Sequence, residues 1–135
     1  MMYKIEDFGK NAGKVWDVLN THGSLTEKTL MKKTNLTIDE FYSAIGWLAK
    51  ENKVSKEENY YTLKETNLSD FIGENAGKIW QILNTWGEID IKYLQKFANI
   101  SKNDTFLALG WLAKEDKVKT RVVKPKTPQV IVNLK

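Results

Sequence analysis

Cysteine is missing from all 135 residues, which excludes disulfides and thiolate metal sites. Histidine occurs once, as His22, so a histidine-based metal centre or catalytic triad has little to draw on. No run of eighteen apolar residues could cross a membrane, and the first ten residues, MMYKIEDFGK, lack the apolar stretch of a secretory signal. These absences fit a reducing cytoplasm, which is the expected location. There is no glycine-rich loop to cradle phosphate. The adjacent carboxylates Asp39-Glu40 and Glu57-Glu58 fall on expected surfaces, where nothing raises their pKa. Neither an enzyme nor a cofactor is expected. Acidic residues are absent from 117–135, a stretch that holds six basic ones.

What the chain does have is a repeat. GWLAKE stands at Gly46–Glu51 and again at Gly110–Glu115, 64 positions later. At that offset FGKNAGKVWDVLNTHG (Phe8–Gly23) lies over IGENAGKIWQILNTWG (Ile72–Gly87), and AIGWLAKENKV (Ala44–Val54) over ALGWLAKEDKV (Ala108–Val118). From Phe8 to Val54 no gap is needed, and 23 of 47 positions are identical. Such self-similarity marks a duplicated unit. Each copy is about 60–65 residues long, small but sufficient for an independent fold. Hydrophobic residues make up 41% of the chain, enough for a core and too many for a disordered tail. The expected boundaries are 1–66 and 67–135, joined through a short linker near Lys64–Ser69.

Each copy reads as the same series of elements. Ile72, Ala76, Ile79, Trp80, Leu83 and Trp86 recur every three or four residues, as on one face of a helix. Gly23 and Gly87 suit a left-handed C-terminal cap. Gly13 and Gly77 lie inside the helix at a cost, and their retention in both copies suggests close approach of another backbone. A shorter second helix is capped by Thr26 or Asp90. Leu30 and Leu94, with Met31 and Phe97, supply its apolar contacts. After a break at Asn35–Thr37 or Asn99–Ser101, a third helix starts at a capping box, Thr37 to Glu40, or its weaker counterpart, Ser101 to Asp104. Phe41, Ala44, Ile45 and Leu48 form its inner stripe, matched by Thr105, Ala108, Leu109 and Leu112. Trp47 and Trp111 are expected to cover the edge between this helix and the hairpin after it. Trp16, Trp80 and Trp86 are expected in the core, and His22, opposite Trp86, in a similar half-buried place. Beyond the third helix the period becomes alternating. One hairpin is expected at Lys53–Ser55 and Tyr60–Lys64 around a turn at Lys56–Asn59. A longer one is expected at Val118–Lys124 and Gln129–Leu134, with Pro125 and Pro128 in its loop.

Three helices, a tight turn between the second and third, and a hairpin make a winged helix-turn-helix. The expected fold class is therefore mainly α with small β-hairpin wings (α+β), in two tandem winged helix-turn-helix domains. ENAGKIW, the glycine after the first helix, and ALGWLAKEDKV also resemble a winged helix-turn-helix family of bacteria and archaea. The resemblance covers Phe8–Leu63 and Ile72–Leu134. It implies the fold and a DNA-binding role, with no known ligand and no catalytic residues.

In DNA-binding versions of this fold the third helix enters the major groove and the wing meets the backbone. At 100° per residue, the positions facing away from the inner stripe are Asp39, Ser43, Gly46 and Lys50, or Asn103, Leu107, Gly110 and Lys114. In the first copy Asp39 and Glu40 repel phosphate. In the second, Lys102 and Asn103 could contact phosphate and a base, and the helix then turns apolar at Phe106, Leu107 and Trp111. The net charge is +4, with 10 basic and 9 acidic residues in 1–64 against 11 and 8 in 65–135. The excess therefore lies in the second copy, above all in its wing. Two functions follow. In the first, the protein binds double-stranded DNA as a transcriptional regulator or chromatin-associated factor. It does so through Lys102, Asn103, Lys119, Arg121, Lys124 and Lys126, the wing lying along phosphates. The same lysines also fit an edge strand guarded against aggregation. In the second, an apolar face made of Gly46, Trp47, Phe106, Leu107, Gly110 and Trp111 binds protein. The partner is then the other copy in the same chain, a second chain or a different protein.

Overall fold

The computed structural model describes residues 5–123 and 129–135. In the first copy, helices α1 (Ile5–His22), α2 (Glu27–Thr34) and α3 (Ile38–Lys50) are accompanied by strands β1 (Leu25–Thr26), β2 (Val54–Glu57) and β3 (Tyr60–Leu63). The second copy repeats the order with α4 (Ser69–Trp86), β4 (Ile89–Asp90), α5 (Ile91–Ala98), α6 (Lys102–Lys114), β5 (Val118–Val123) and β6 (Gln129–Leu134). The fold is mainly helical, with two small antiparallel sheets ordered β1-β3-β2 and β4-β6-β5.

Local chemistry sets the boundaries. Thr26 Oγ1 accepts from the Thr29 amide at 3.3 Å and starts α2. Asn35 and Asn99, both left-handed, end α2 and α5. At α3 the full capping box forms: the Thr37 amide donates to Glu40 Oε1 at 2.9 Å, and the Glu40 amide donates to Thr37 Oγ1 at 3.3 Å. In the second copy Ser101 Oγ accepts from the Asp104 amide at 3.0 Å. Gly87 has φ 77 but ψ −138, so it takes the positive φ expected without the left-handed helical ψ. The first wing is tighter than the sequence implies. Its β2 runs on to Glu57, and only Glu58 and Asn59 turn, with Glu58 at φ 56. The third strand of each sheet, β1 or β4, has no sequence signal, because two residues are too few to show a period. Leu25 pairs with Tyr61, and Ile89 with Val132.

Two cores form, and they trade one residue each. Ala12, Val15 and Leu19 of α1 pack with Leu30, Phe41, Ile45, Leu48 and Val54, and Ile72 of the second copy joins them. Ala76, Ile79 and Leu83 of α4 pack with Leu94, Phe106, Leu109, Leu112 and Val118, and Phe8 of the first copy joins those. Phe8 and Ile72 are equivalent in the repeat, so the exchange is reciprocal. Each fully buried side chain of this size contributes about 1.5–3 kcal/mol. The linker is pinned as well. Asn67 Oδ1 accepts from the Lys56 amide at 2.9 Å, Asn67 Nδ2 donates to the Lys56 carbonyl at 2.7 Å, and Asn52 Oδ1 accepts from the Thr66 amide at 2.9 Å.

Candidate functional site

The faces of α3 and α6 that could have met a major groove meet each other instead. Gly46 lies against the backbone of Leu107, and Gly110 against that of Ser43. A methyl group at Gly46 would fall 2.8 Å from the Leu107 carbonyl carbon, and closer still to its oxygen. One at Gly110 would fall 2.8 Å from the Ser43 carbonyl carbon and 3.0 Å from the Trp47 nitrogen. The absence of side chains at these two positions is what brings the helices together. Ser43 is fully buried, its Oγ donating to the Asp39 carbonyl at 2.6 Å. Reciprocal ion pairs flank the crossing: Lys50 to Glu115 at 3.5 Å and Lys114 to Glu51 at 3.9 Å. The same lysines cover the indoles of the opposite copy, with Lys50 Nζ 4.9 Å from the Trp111 ring centre and Lys114 Nζ 5.5 Å from that of Trp47. Contacts of this kind contribute about 0.5–1 kcal/mol each where exposed.

Of the residues singled out in the sequence, Gly46, Leu107 and Gly110 lie in the crossing. Trp47 and Trp111 line clefts that reach Lys53 and Lys117, at the start of each wing. Each lies on a first helix, Trp47 against Gly9 and Trp111 against Gly73, beneath its lysine. Phe106 is not on a surface face, because it is buried in the second core. Lys102 pairs with Asp39 at 3.4 Å, across the crossing, and Asn103 is exposed beside it. In the second wing Lys119 is exposed. Arg121 holds Glu88 through two guanidinium nitrogens, Nη2 donating to Oε1 and Nε to Oε2, the latter at 3.3 Å. That hydrogen bond from Arg121 keeps the Glu88 carboxyl below the usual carboxylate range. Lys117 pairs with Glu115 and Lys135 with Asp116. Lys124 and Lys126 lie outside the described residues.

Other expectations also change. No backbone approaches Gly13 or Gly77; a methyl group at either would meet nothing within 4 Å. Each glycine instead lines an open cleft. One, of about 410 Å³, includes Gly9, Gly13, Trp16, Trp47, Glu51 and Lys53. The other, of about 360 Å³, includes their equivalents Gly73, Gly77, Trp80, Trp111, Glu115 and Lys117. Trp16 is therefore partly exposed rather than core. Trp86 is 68% exposed and Phe97 58%, so neither serves the interior. His22 is exposed too.

An aromatic cluster on the second copy is not among the site residues expected from the sequence, which places Trp86 and Phe97 in the interior. Trp86 stacks on Phe97, with centroids 6.0 Å apart and rings 12° from parallel. Tyr93, one helical turn before Phe97, is also exposed. The repeat carries a signal for it. Trp86, Tyr93 and Phe97 stand opposite His22, Thr29 and Lys33, so polar residues of one copy are aromatic in the other.

A half-buried polar knot distinguishes the first copy. Glu27 Oε1 accepts from Tyr42 at 2.6 Å and from Tyr61 at 3.5 Å. Burial and the neighbouring carboxylate push both phenols well above their ordinary pKa, so both stay protonated in the neutral range. Among the described residues no cluster of histidine and carboxylates could hold a metal ion, and no helix is long and apolar enough to cross a membrane.

Comparison with known proteins gives one match. The family described as "Winged helix-turn-helix domain (DUF2582)" matches twice, over residues 1–69 and 63–130. No curated protein and no solved structure matches.

Proposed function

The chain belongs to the winged helix-turn-helix domain family DUF2582, and from that premise we propose that it binds double-stranded DNA through phosphates, by its second wing, without reading bases through its third helices. Winged helix-turn-helix domains commonly bind DNA. The observation that carries this reading is the crossing of α3 and α6, which buries Ser43, Gly46 and Gly110 and takes the middle of each third helix away from a groove. The basic stretch 117–135 remains, with Lys119 exposed and Arg121 at the surface. Contact of that kind positions a protein on a duplex without specifying sequence. It suits a chromatin-associated factor better than an operator-reading regulator, and no catalysis is proposed.

A second reading is favoured by the same crossing. The third-helix face acts as a protein contact, with the other copy as its partner, so that duplication replaces a homodimer.

Fluorescence anisotropy with a random duplex pool at low and near-physiological salt tests the first reading. The expected result is salt-sensitive binding with no preferred sequence. Neutralising Lys119 and Arg121 together should weaken it on every duplex and lower the salt slope by roughly two. Selection of a defined site that is lost on Asn103→Ala would overturn it, and so would the absence of binding at low salt.

A further inference from the structure

Helix α5 presents two neighbouring stripes. Lys92 and Lys96 stand one turn apart, and beside them Tyr93 and Phe97 do the same, since residues four apart share a helix face. Trp86, stacked on Phe97, extends the aromatic row to three rings. Lys92, Tyr93 and Lys96, with Gln95 and Asn99, line an open groove of about 690 Å³. Asp90 also lines it, but its carboxylate is engaged as the cap of α5, accepting from the Lys92 amide at 2.8 Å. Among the described residues neither lysine has a carboxylate within ion-pairing distance, whereas eight other basic side chains do.

The first copy serves as an internal control. It keeps the lysine stripe, as Lys28 and Lys32, but has Thr29 and Lys33 in place of Tyr93 and Phe97, and His22 in place of Trp86. The fold therefore does not need aromatics at these places. Three large rings left 57–68% exposed are costly to keep in water unless something covers them.

We infer that α5 is a binding platform for single-stranded nucleic acid, with the backbone along Lys92 and Lys96 and unpaired bases on Tyr93, Phe97 and Trp86. Unpaired cations beside exposed rings supply the two things a single strand offers partners for, phosphate charge and free base faces. A purely apolar protein partner would leave the two lysines unmatched at the groove. Duplex DNA would match the lysines and leave the rings unmatched, because its bases are stacked on each other. The platform is separate from the second wing and does not depend on the duplex reading.

The test uses the full chain and fluorescently labelled oligothymidine and oligouridine of about ten nucleotides, with a duplex of equal length alongside. The expected result is salt-sensitive binding of one or both single strands. Tyr93→Ala and Phe97→Ala should each weaken it about 5- to 100-fold, and Lys92→Gln with Lys96→Gln should flatten the salt dependence. The decisive variant gives the second copy the residues of the first: Trp86→His, Tyr93→Thr and Phe97→Lys together. It adds one positive charge, so simple attraction predicts tighter binding, whereas stacking predicts loss. Circular dichroism and thermal unfolding check that this variant folds, and the two alanine variants carry the test if it does not. Lys119→Gln with Arg121→Gln should leave single-strand binding in place, which separates this inference from the duplex reading. Unchanged or tighter binding by the triple variant would overturn the inference. So would no single-strand binding at low salt, or self-association or binding to anionic phosphatidylserine vesicles that disappears in the triple variant while single strands stay unbound.

Discussion

At Gly46 and Gly110 a hydrogen stands where any other residue would drive a carbon into the opposite helix backbone, 2.8 Å from a carbonyl carbon in each case. Neither backbone can give way without moving a whole helix. Gly46→Ala or Gly110→Ala should therefore destabilise by roughly 3 kcal/mol or more, at the upper end of the cost of overpacking. Gly13 and Gly77 are glycines of another kind. They sit in helix interiors with open space above them, so Gly13→Ala should stabilise by about 0.5–1 kcal/mol by removing unfolded-state freedom. Denaturant titration of the three variants checks the opposite signs. In sequence the four glycines look alike, each a duplicated glycine inside a helical period. Periodicity gives the face of a glycine on its own helix, but not what lies across from it.

At the scale of elements, the second wing is less free than its composition suggests. Of the described basic residues in 117–135, Lys117, Arg121 and Lys135 each face a carboxylate. Exposed pairs of this sort contribute little stability, but they lower the charge available to a polyanion. Glu88→Gln should release Arg121 and tighten duplex binding in the anisotropy assay; unchanged binding would mean that Arg121 does not touch DNA. The pH dependence has a defined sign. The Glu88 carboxyl is held below its ordinary range by the hydrogen bond from Arg121. The pair is therefore present above the unfolded carboxylate pKa and is lost as pH falls through the lower folded value. Between pH 5 and 7 it should not titrate, and any change in binding over that window must come from other groups. The second helices differ in a similar way. The lysine stripe of α5 is legible as charge at helical spacing. Its aromatic stripe looks interior in sequence, because apolar residues on a short helix ordinarily point inward and only packing shows that Phe97 does not.

Across the whole molecule, the duplication builds a pseudo-dimer about the crossing of α3 and α6. Phe8 packs in the core of the second copy and Ile72 in that of the first, and the ion pairs and lysine–indole contacts at the crossing repeat in reverse. Residues 1–66 by themselves would expose the Gly46 face and lack Ile72. Such a fragment should associate with itself through α3 or unfold well below the intact chain. Sedimentation equilibrium with thermal unfolding distinguishes this from a stable monomer, which would show that the two copies need not lean on each other.

The sequence by itself determined the local and repeated features. These are the duplication, the helix starts at Thr26, Thr37, Asp90 and Ser101, the inner stripes of α3 and α6, and the hairpins after them. Each depends on residues close together in the chain, through capping hydrogen bonds or hydrophobic period, so neighbours suffice to read it. Tertiary structure decided which face meets which. It put Gly46 and Gly110 against opposing backbones, closed α3 on α6, sent Phe106 into a core, turned Trp86 and Phe97 outward, and gave Lys102 and Arg121 carboxylate partners. Those outcomes come from contacts between residues far apart in the chain, or from the space left when helices cross, and a single chain's local pattern encodes neither in a form that can be read by period.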